Sequence, residues 1–257
     1  MDKHSARETA AVALSLLDLT DLDDGCRSDA IVQLCARAQT PYGHAAAICI
    51  WPRFVAQART ILKPGHPVKI VTVVNFPSGD GDIAAVVAET ETAIADGADE
   101  IDLVIPHHAL AAGNHAAVTE MVSGVRAVSP SPIVLKAILE TGVLKDSALI
   151  RQAAELAIAA GVDFIKTSTG KVPVNATLEA ADIMLRAIRH SGRNVGFKPA
   201  GGVGSVTEAG LYLSLAETIM TEDWAIPSTF RFGASGLLDD ILAVLSGAHT
   251  TSPASGY

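Results

Sequence analysis

Two ten-residue segments of this 257-residue chain, "AIADGADEID" (93–102) and "AIAAGVDFIK" (157–166), align without a gap although they start 64 residues apart. Each reads as the end of a helix, a glycine (Gly97, Gly161) that stops it, and the start of a strand. A repeated helix–glycine–strand unit is what a parallel βαβ architecture demands, because parallel strands need a crossover between them. The alignment also sets Asp102 and Lys166 at the same strand position, two units apart.

The rest of the chain keeps the alternation. Strand-like runs occur at 46–50, 69–74, 100–105, 132–138, 163–167, 195–198, 217–220 ("ETIM") and 230–234. Between them lie Ala-rich segments of helical periodicity, such as 82–96, 147–160 and 177–191. Eight such units in a chain of this length favour a closed (β/α)8 TIM barrel over an open doubly wound sheet. The reading is α/β, one barrel domain over residues 1–257, with an extra N-terminal helix or two before the first strand. Ser5 and Glu8 form a capping box ahead of the first amphipathic run, so that run reads as a helix and not a signal peptide. The tail "TTSPASGY" reads as flexible, with residues 250–257 outside the barrel.

Composition narrows the class. A net charge of −9 argues against nucleic acid and anionic membranes as partners. Three cysteines (Cys26, Cys35, Cys49) without C-x-x-C spacing read as reduced thiols, and no window reaches a membrane span, so a cytoplasmic protein is expected. His107 and His108 have no carboxylate or cysteine at ligand spacing, so no metal is expected. No P-loop, G-x-S-x-G or G-x-G-x-x-G fingerprint is present.

Chemistry concentrates in the strands. Of eight lysines, three (Lys136, Lys166, Lys198) interrupt apolar strands, and with Asp102 they recur at spacings of 34, 30 and 32. A single such lysine would snorkel from a strand end as readily as it would act. Three in register with a carboxylate point to a charged ring inside a barrel. Neighbouring ammonium groups in a dry site repel, and one loses its proton more easily. The neutral amine so produced is a nucleophile for carbonyls. Asp102 then serves to move a proton or to hold the second lysine charged. Glycine-bearing turns follow the lysine strands and the last strand ("STGK", "AGGV", "FGASG"), where barrels often bind phosphate.

These residues carry a family resemblance. "DFIKTSTGK", "GFKPAGGV", "LLDLTDL", "AAICIWPRF", "VLKAILETG" and "RFGAS" closely resemble deoxyribose-phosphate aldolases, which are class I aldolases, over nearly the whole chain. The resemblance implies a barrel that cleaves 2-deoxy-D-ribose 5-phosphate to acetaldehyde and D-glyceraldehyde 3-phosphate without a cofactor. It makes Lys166 the Schiff-base lysine, Lys198 the residue that lowers its pKa, and Asp102 part of the proton relay. Asp18, Thr20, Cys49, Lys136 and Thr169 fall on substrate-pocket positions. For Cys49 a small core residue is an equal reading, and for Asp18 and Thr20 so is a helix cap. Gly170, Lys171, Gly201, Gly202, Gly233 and Ser235 match a phosphate cradle, and Tyr257 matches a terminal tyrosine that assists proton transfer. Two departures remove phosphate-facing groups: Gly204 stands where arginine is frequent and Gly236 where a second serine is usual. Related aldolases are commonly dimers, so a homodimer is expected. Two other readings share the lysine pattern: a transaldolase-like or pyridoxal-phosphate barrel, and a non-catalytic sugar-phosphate binder.

Overall fold

The repeat seen in the sequence closes the same way in space at both copies. In the computed structural model, which describes residues 5–248, helices Ile83–Ala95 and Ser147–Ala159 both end on a left-handed glycine, Gly97 at φ +105° and Gly161 at φ +104°. Ala98 N–H then reaches back to Ala93 O, and Val162 N–H to Ala157 O, satisfying carbonyls the helix end leaves open. The aspartate just after each glycine clips the next strand to its neighbour. Asp99 Oδ2 accepts from Ile70 N–H (2.8 Å) and Arg59 (2.6 Å), and Asp163 Oδ2 accepts from Leu135 N–H (2.8 Å) and Arg126 (2.7 Å).

Eight parallel strands result: β1 (Leu17–Asp21), β2 (Ala47–Ile50), β3 (Lys69–Val74), β4 (Glu100–Val104), β5 (Val134–Ile138), β6 (Phe164–Lys166), β7 (Gly196–Lys198) and β8 (Phe232–Ala234). They pair in the order β8-β1-β2-β3-β4-β5-β6-β7. Bridges Phe197–Phe230 and Ala200–Gly233 join the two ends into the expected barrel. Side chains that point out of the barrel, such as Ile101, Leu135 and Ile165, join one continuous core beneath the helices. Burial of this apolar layer is the main force holding the helices on. Helix N-termini are pinned by Asp82, Asp146, Thr177 and the Ser205–Glu208 capping box, whose side chains take otherwise unpaired N–H groups. Ser5 and Glu8 form the predicted capping box on α1 (Ala6–Ser15), the one described helix before β1. Among the described residues no helix is long and apolar enough to cross a membrane.

One predicted strand is wrong. "ETIM" (217–220) is no strand: residues 217–219 are the last turn of the helix Val206–Ile219. The missing strand is β1, "LDLTD", directly after α1. A four-residue segment with only two apolar residues cannot be told from a helix end by periodicity, whereas the alternation Leu17-Asp18-Leu19-Thr20 is a strand pattern. Asp18 therefore faces the barrel interior and is no helix cap. Counting β1 moves Lys166 and Lys198 onto β6 and β7, still adjacent, with the two residues in direct register.

Candidate active site

The barrel interior holds a closed ring of charge. Lys136 Nζ pairs with Glu100 Oε2 and lies 3.1 Å from Asp102 Oδ1. Lys198 Nζ donates to Asp102 Oδ2 (2.8 Å) and to Asp18 Oδ2 (2.5 Å). Arg231 closes the circle, with Nη1 to Asp18 Oδ1 (2.6 Å) and Nη2 to Glu100 Oε1 (2.8 Å). Lys166 hangs on this ring through a 2.7 Å bond to Asp102 Oδ2, the oxygen that Lys198 also uses. Asp18, Asp102, Lys136 and Lys198 are fully buried, and Lys166 is 2% exposed.

Local sequence makes room for this. Phe164 points inward two residues before Lys166, and its ring lies where a side chain on Gly196 would have to go. That same ring sits 5.9 Å below both Lys136 and Arg231, a favourable cation–π position. Gly233 serves the ring likewise: a Cβ there would come within 3.1 Å of the Lys198 stem.

Charge pairing decides the protonation states. Burial alone would raise the carboxyls, but for Asp18 the cations Lys198, Arg231 and Lys136 outweigh it and bring the group down to about 2. Asp102 is held well below the usual carboxylate range against burial by Lys136, Lys166 and Lys198. Burial disfavours the Lys198 ammonium, yet Asp102 and Asp18 overcome that and push its pKa up, so Lys198 is a lasting cation. Three carboxylates (Asp18, Glu100, Asp102) thus face Lys136, Lys198 and Arg231 in balance, with Lys166 as the fourth basic group. Asp102 Oδ1 makes no well-aligned hydrogen bond among the described residues, and its one close partner is the Lys136 ammonium at 3.1 Å.

The other expected residues divide. Cys49 lies in the barrel with Ala47, Val71 and Val73, and burial raises its thiol despite Lys198 and Lys166 nearby. Thr20 Oγ1 donates to Asp18 O (2.9 Å). Thr169, Gly170, Lys171, Gly202 and Ser235 gather in the loops after β6, β7 and β8 at the barrel mouth. Lys171 Nζ is 2.9 Å from Asp24 Oδ1 and 5.6 Å from the Trp51 ring centroid. Gly201 and Gly233 commit their N–H groups to Gly233 O and Pro199 O, so their part is to shape the β7–β8 seam. Tyr257 lies outside the described residues. Sequence reading missed Glu100 and Arg231, which complete the ring, and Glu140, whose buried carboxylate accepts from Thr169. The signal for Arg231 was available, a cation inside the apolar run "FRFGA".

A charged ring with four buried basic groups inside a (β/α)8 barrel has the character of an enzyme site. Comparison with known proteins agrees and narrows it: residues 12–238 match the model of the DeoC/LacD family aldolases, and the chain belongs to that family. It is 64% identical over 257 residues to a deoxyribose-phosphate aldolase of Agrobacterium fabrum, covering 100% of this chain and 99% of that one. Its fold superposes on a putative deoxyribose-phosphate aldolase from Toxoplasma gondii ME49 at TM-score 0.87 with 24% identity, over 95% of this chain and 96% of the other. A putative deoxyribose-phosphate aldolase from Coccidioides immitis gives 0.82 with 26% identity, over 94% and 88% of the two chains.

Proposed function

We propose that the chain cleaves 2-deoxy-D-ribose 5-phosphate reversibly to acetaldehyde and D-glyceraldehyde 3-phosphate through a Schiff base on Lys166. The observation that carries this reading is the shared oxygen: Lys166 and Lys198 both bond Asp102 Oδ2, at 2.7 and 2.8 Å, in a dry interior. Such an arrangement supplies a nucleophile, a fixed cation and a carboxylate that can pass a proton between them. Lys166 adds to the substrate aldehyde and water leaves. The resulting iminium draws the electron pair of the bond between the second and third carbons as the third-carbon hydroxyl gives up its proton. Glyceraldehyde 3-phosphate departs, the enamine is protonated at carbon, and hydrolysis frees acetaldehyde and Lys166. Asp102 and Lys198 are the relay for these proton steps, and Lys136 holds Asp102 in place from its other side.

Lys171, with the N–H groups of Gly170, Gly202 and Ser235, is the proposed phosphate cradle. No acceptor for those three N–H groups is found among the described residues, and all sit at the mouth, where barrels hold phosphate. A homodimer in the cytoplasm remains the expectation for the assembly. The deciding experiment is borohydride reduction with substrate present, followed by peptide mapping. An adduct on Lys166 is expected, whereas an adduct on Lys136 or Lys198 would falsify the assignment.

A further inference from the structure

We infer that Glu140 is a positioning residue that sets the preference for a phosphorylated substrate, by holding Thr169 and the Lys171 amide in one fixed arrangement at the barrel mouth. The inference rests on the cradle proposed above and extends it to a residue that touches neither the ring nor the cradle's charged end.

Four observations meet at Glu140. It lies two residues past β5, 1% exposed, among groups where a lone carboxylate is unfavourable. Its backbone is left-handed, φ +57° and ψ 56°, a conformation that non-glycine residues adopt only under constraint and that clusters at functional positions. The described residues offer it no ion pair; its partners are both from Thr169, whose Oγ1 donates to Oε2 at 2.6 Å and whose N–H donates to Oε1 at 3.3 Å. Thr169 Oγ1 in turn accepts from Lys171 N–H at 3.0 Å. Burial pushes the Glu140 carboxyl up, against the two Thr169 bonds and the charge of Lys166.

Direction is what this chain of bonds fixes. A hydroxyl has one proton, and a carboxylate can only accept. Glu140 takes the Thr169 proton, so a lone pair of Oγ1 is left facing the Lys171 N–H. The loop is thereby folded across Gly170, at φ +85°, which sends the Lys171 side chain towards Asp24 and the mouth. The segment bearing Glu140 is itself wedged: a Cβ on Gly142 would lie 1.8 Å from Val174 O, so the two loops interlock. A glutamine at 140 has one oxygen for the two Thr169 donors, so one of those bonds is lost and the amide N–H competes with Lys171 N–H for Oγ1, loosening the relay with almost no change of shape.

Glu140→Gln tests this with two substrates, deoxyribose 5-phosphate and deoxyribose. The expected result is about a tenfold fall in the ratio of their kcat/KM values, the size of one lost hydrogen bond to a charged group. The fall should come through KM for the phosphorylated sugar, with kcat and Tm close to the parent. Thr169→Val, which deletes the same hydroxyl without changing volume, should match it, and the double variant should be no worse than either single one. Equal losses on both substrates, or an unchanged ratio in Glu140→Gln or in Thr169→Val, would overturn the inference. Lys171→Met keeps the two readings apart. A fall there without one in Glu140→Gln leaves the cradle standing and removes Glu140 from it. A fall in Glu140→Gln alone keeps the inference and takes the ammonium of Lys171 out of the cradle. Should Glu140→Gln not fold, Glu140→Asp, which draws the carboxylate back from Thr169, is read on the same two substrates, and an unchanged ratio there overturns the inference.

Discussion

Position 99 of the internal repeat aligns with 163, and position 102 with 166, but the two pairs do different work. Asp99 and Asp163 are the same residue making the same contacts, a strand N–H and an arginine from the helix that precedes that neighbouring strand. Asp102 and Lys166 are opposite charges bonded to each other in the barrel interior. The first pair sits at the start of its strands, where each unit must be fastened to the last. The second lies further along, towards the end where barrel enzymes keep their chemistry. One position repeats because closure is the same problem in every unit. The other diverges because a reaction needs unlike groups.

The largest effect should come from Lys166→Met. Activity should vanish, since no amine remains to form the imine, yet the ring keeps three cations against three carboxylates. The variant should therefore melt no lower than the parent, in keeping with active-site residues that are not selected for stability. A large drop in Tm would show Lys166 to be a structural partner of the Asp99 kind. Lys198→Met should behave differently, because Asp18 and Asp102 both lose a direct partner. Each keeps another cation, but removing one partner from a buried charge pair costs up to about 3–5 kcal/mol, and loss of the relay should lower kcat by roughly 10²-fold or more. Full activity in a folded Lys198→Met protein would break the proposed pairing.

At the other end of the strands, Asp163→Ala should lower Tm while leaving kcat and KM unchanged. It strands Leu135 N–H and Arg126, a loss of about 1–3 kcal/mol, or several degrees for a chain of this size. Asp99→Ala should match it, and a fall in kcat in either would blur the distinction between the two pairs. Acid should reach the ring carboxylate Asp18 late. Its folded pKa of about 2 is below the ordinary 3.8. The stability it contributes is therefore complete above pH 4 and is lost as pH falls towards 2. Acid titration of wild type against Asp18→Asn, followed by circular dichroism, would check this; identical dependence between pH 4 and 2 would remove Asp18 as a contributor.

Legibility follows the same line. Lys136, Lys166, Lys198 and Asp102 can be read because a charge inside an apolar run is costly and needs a reason. β1 escapes notice because its alternation of leucine with aspartate and threonine, coming straight after a helix, resembles a polar boundary. That loss leaves Asp18 readable equally as a pocket residue or a helix cap, and hides it as the partner of Lys198 and Arg231. Glu100 hides in "DEID", which resembles a solvated helix end, although it is 3% exposed. Glu140 has no signal at all, since nothing local in "ILETG" requires a left-handed glutamate. Position along a strand is readable from pattern; partners brought in by barrel closure are not.

The smallest expected effect tests whether recognition, like closure, tolerates change at the rim. Gly236 follows Ser235 where the family usually has a second serine, and its surroundings are open, with nothing within 4 Å of the point a Cβ would occupy. Its φ is −93°, a conformation serine adopts without strain. It also stands at the N-cap of the helix Leu237–Ser246, which has no side-chain cap. A serine hydroxyl there could accept from the helix and still donate its proton to a phosphate oxygen, so the two roles do not compete. Gly236→Ser should lower KM for deoxyribose 5-phosphate severalfold at constant kcat, which is the mark of uniform binding. Unphosphorylated deoxyribose has no dianion to meet the hydroxyl and should gain nothing. An equal gain on both sugars would mean that the serine merely stiffens the helix end, and no gain on either would place the phosphate away from position 236.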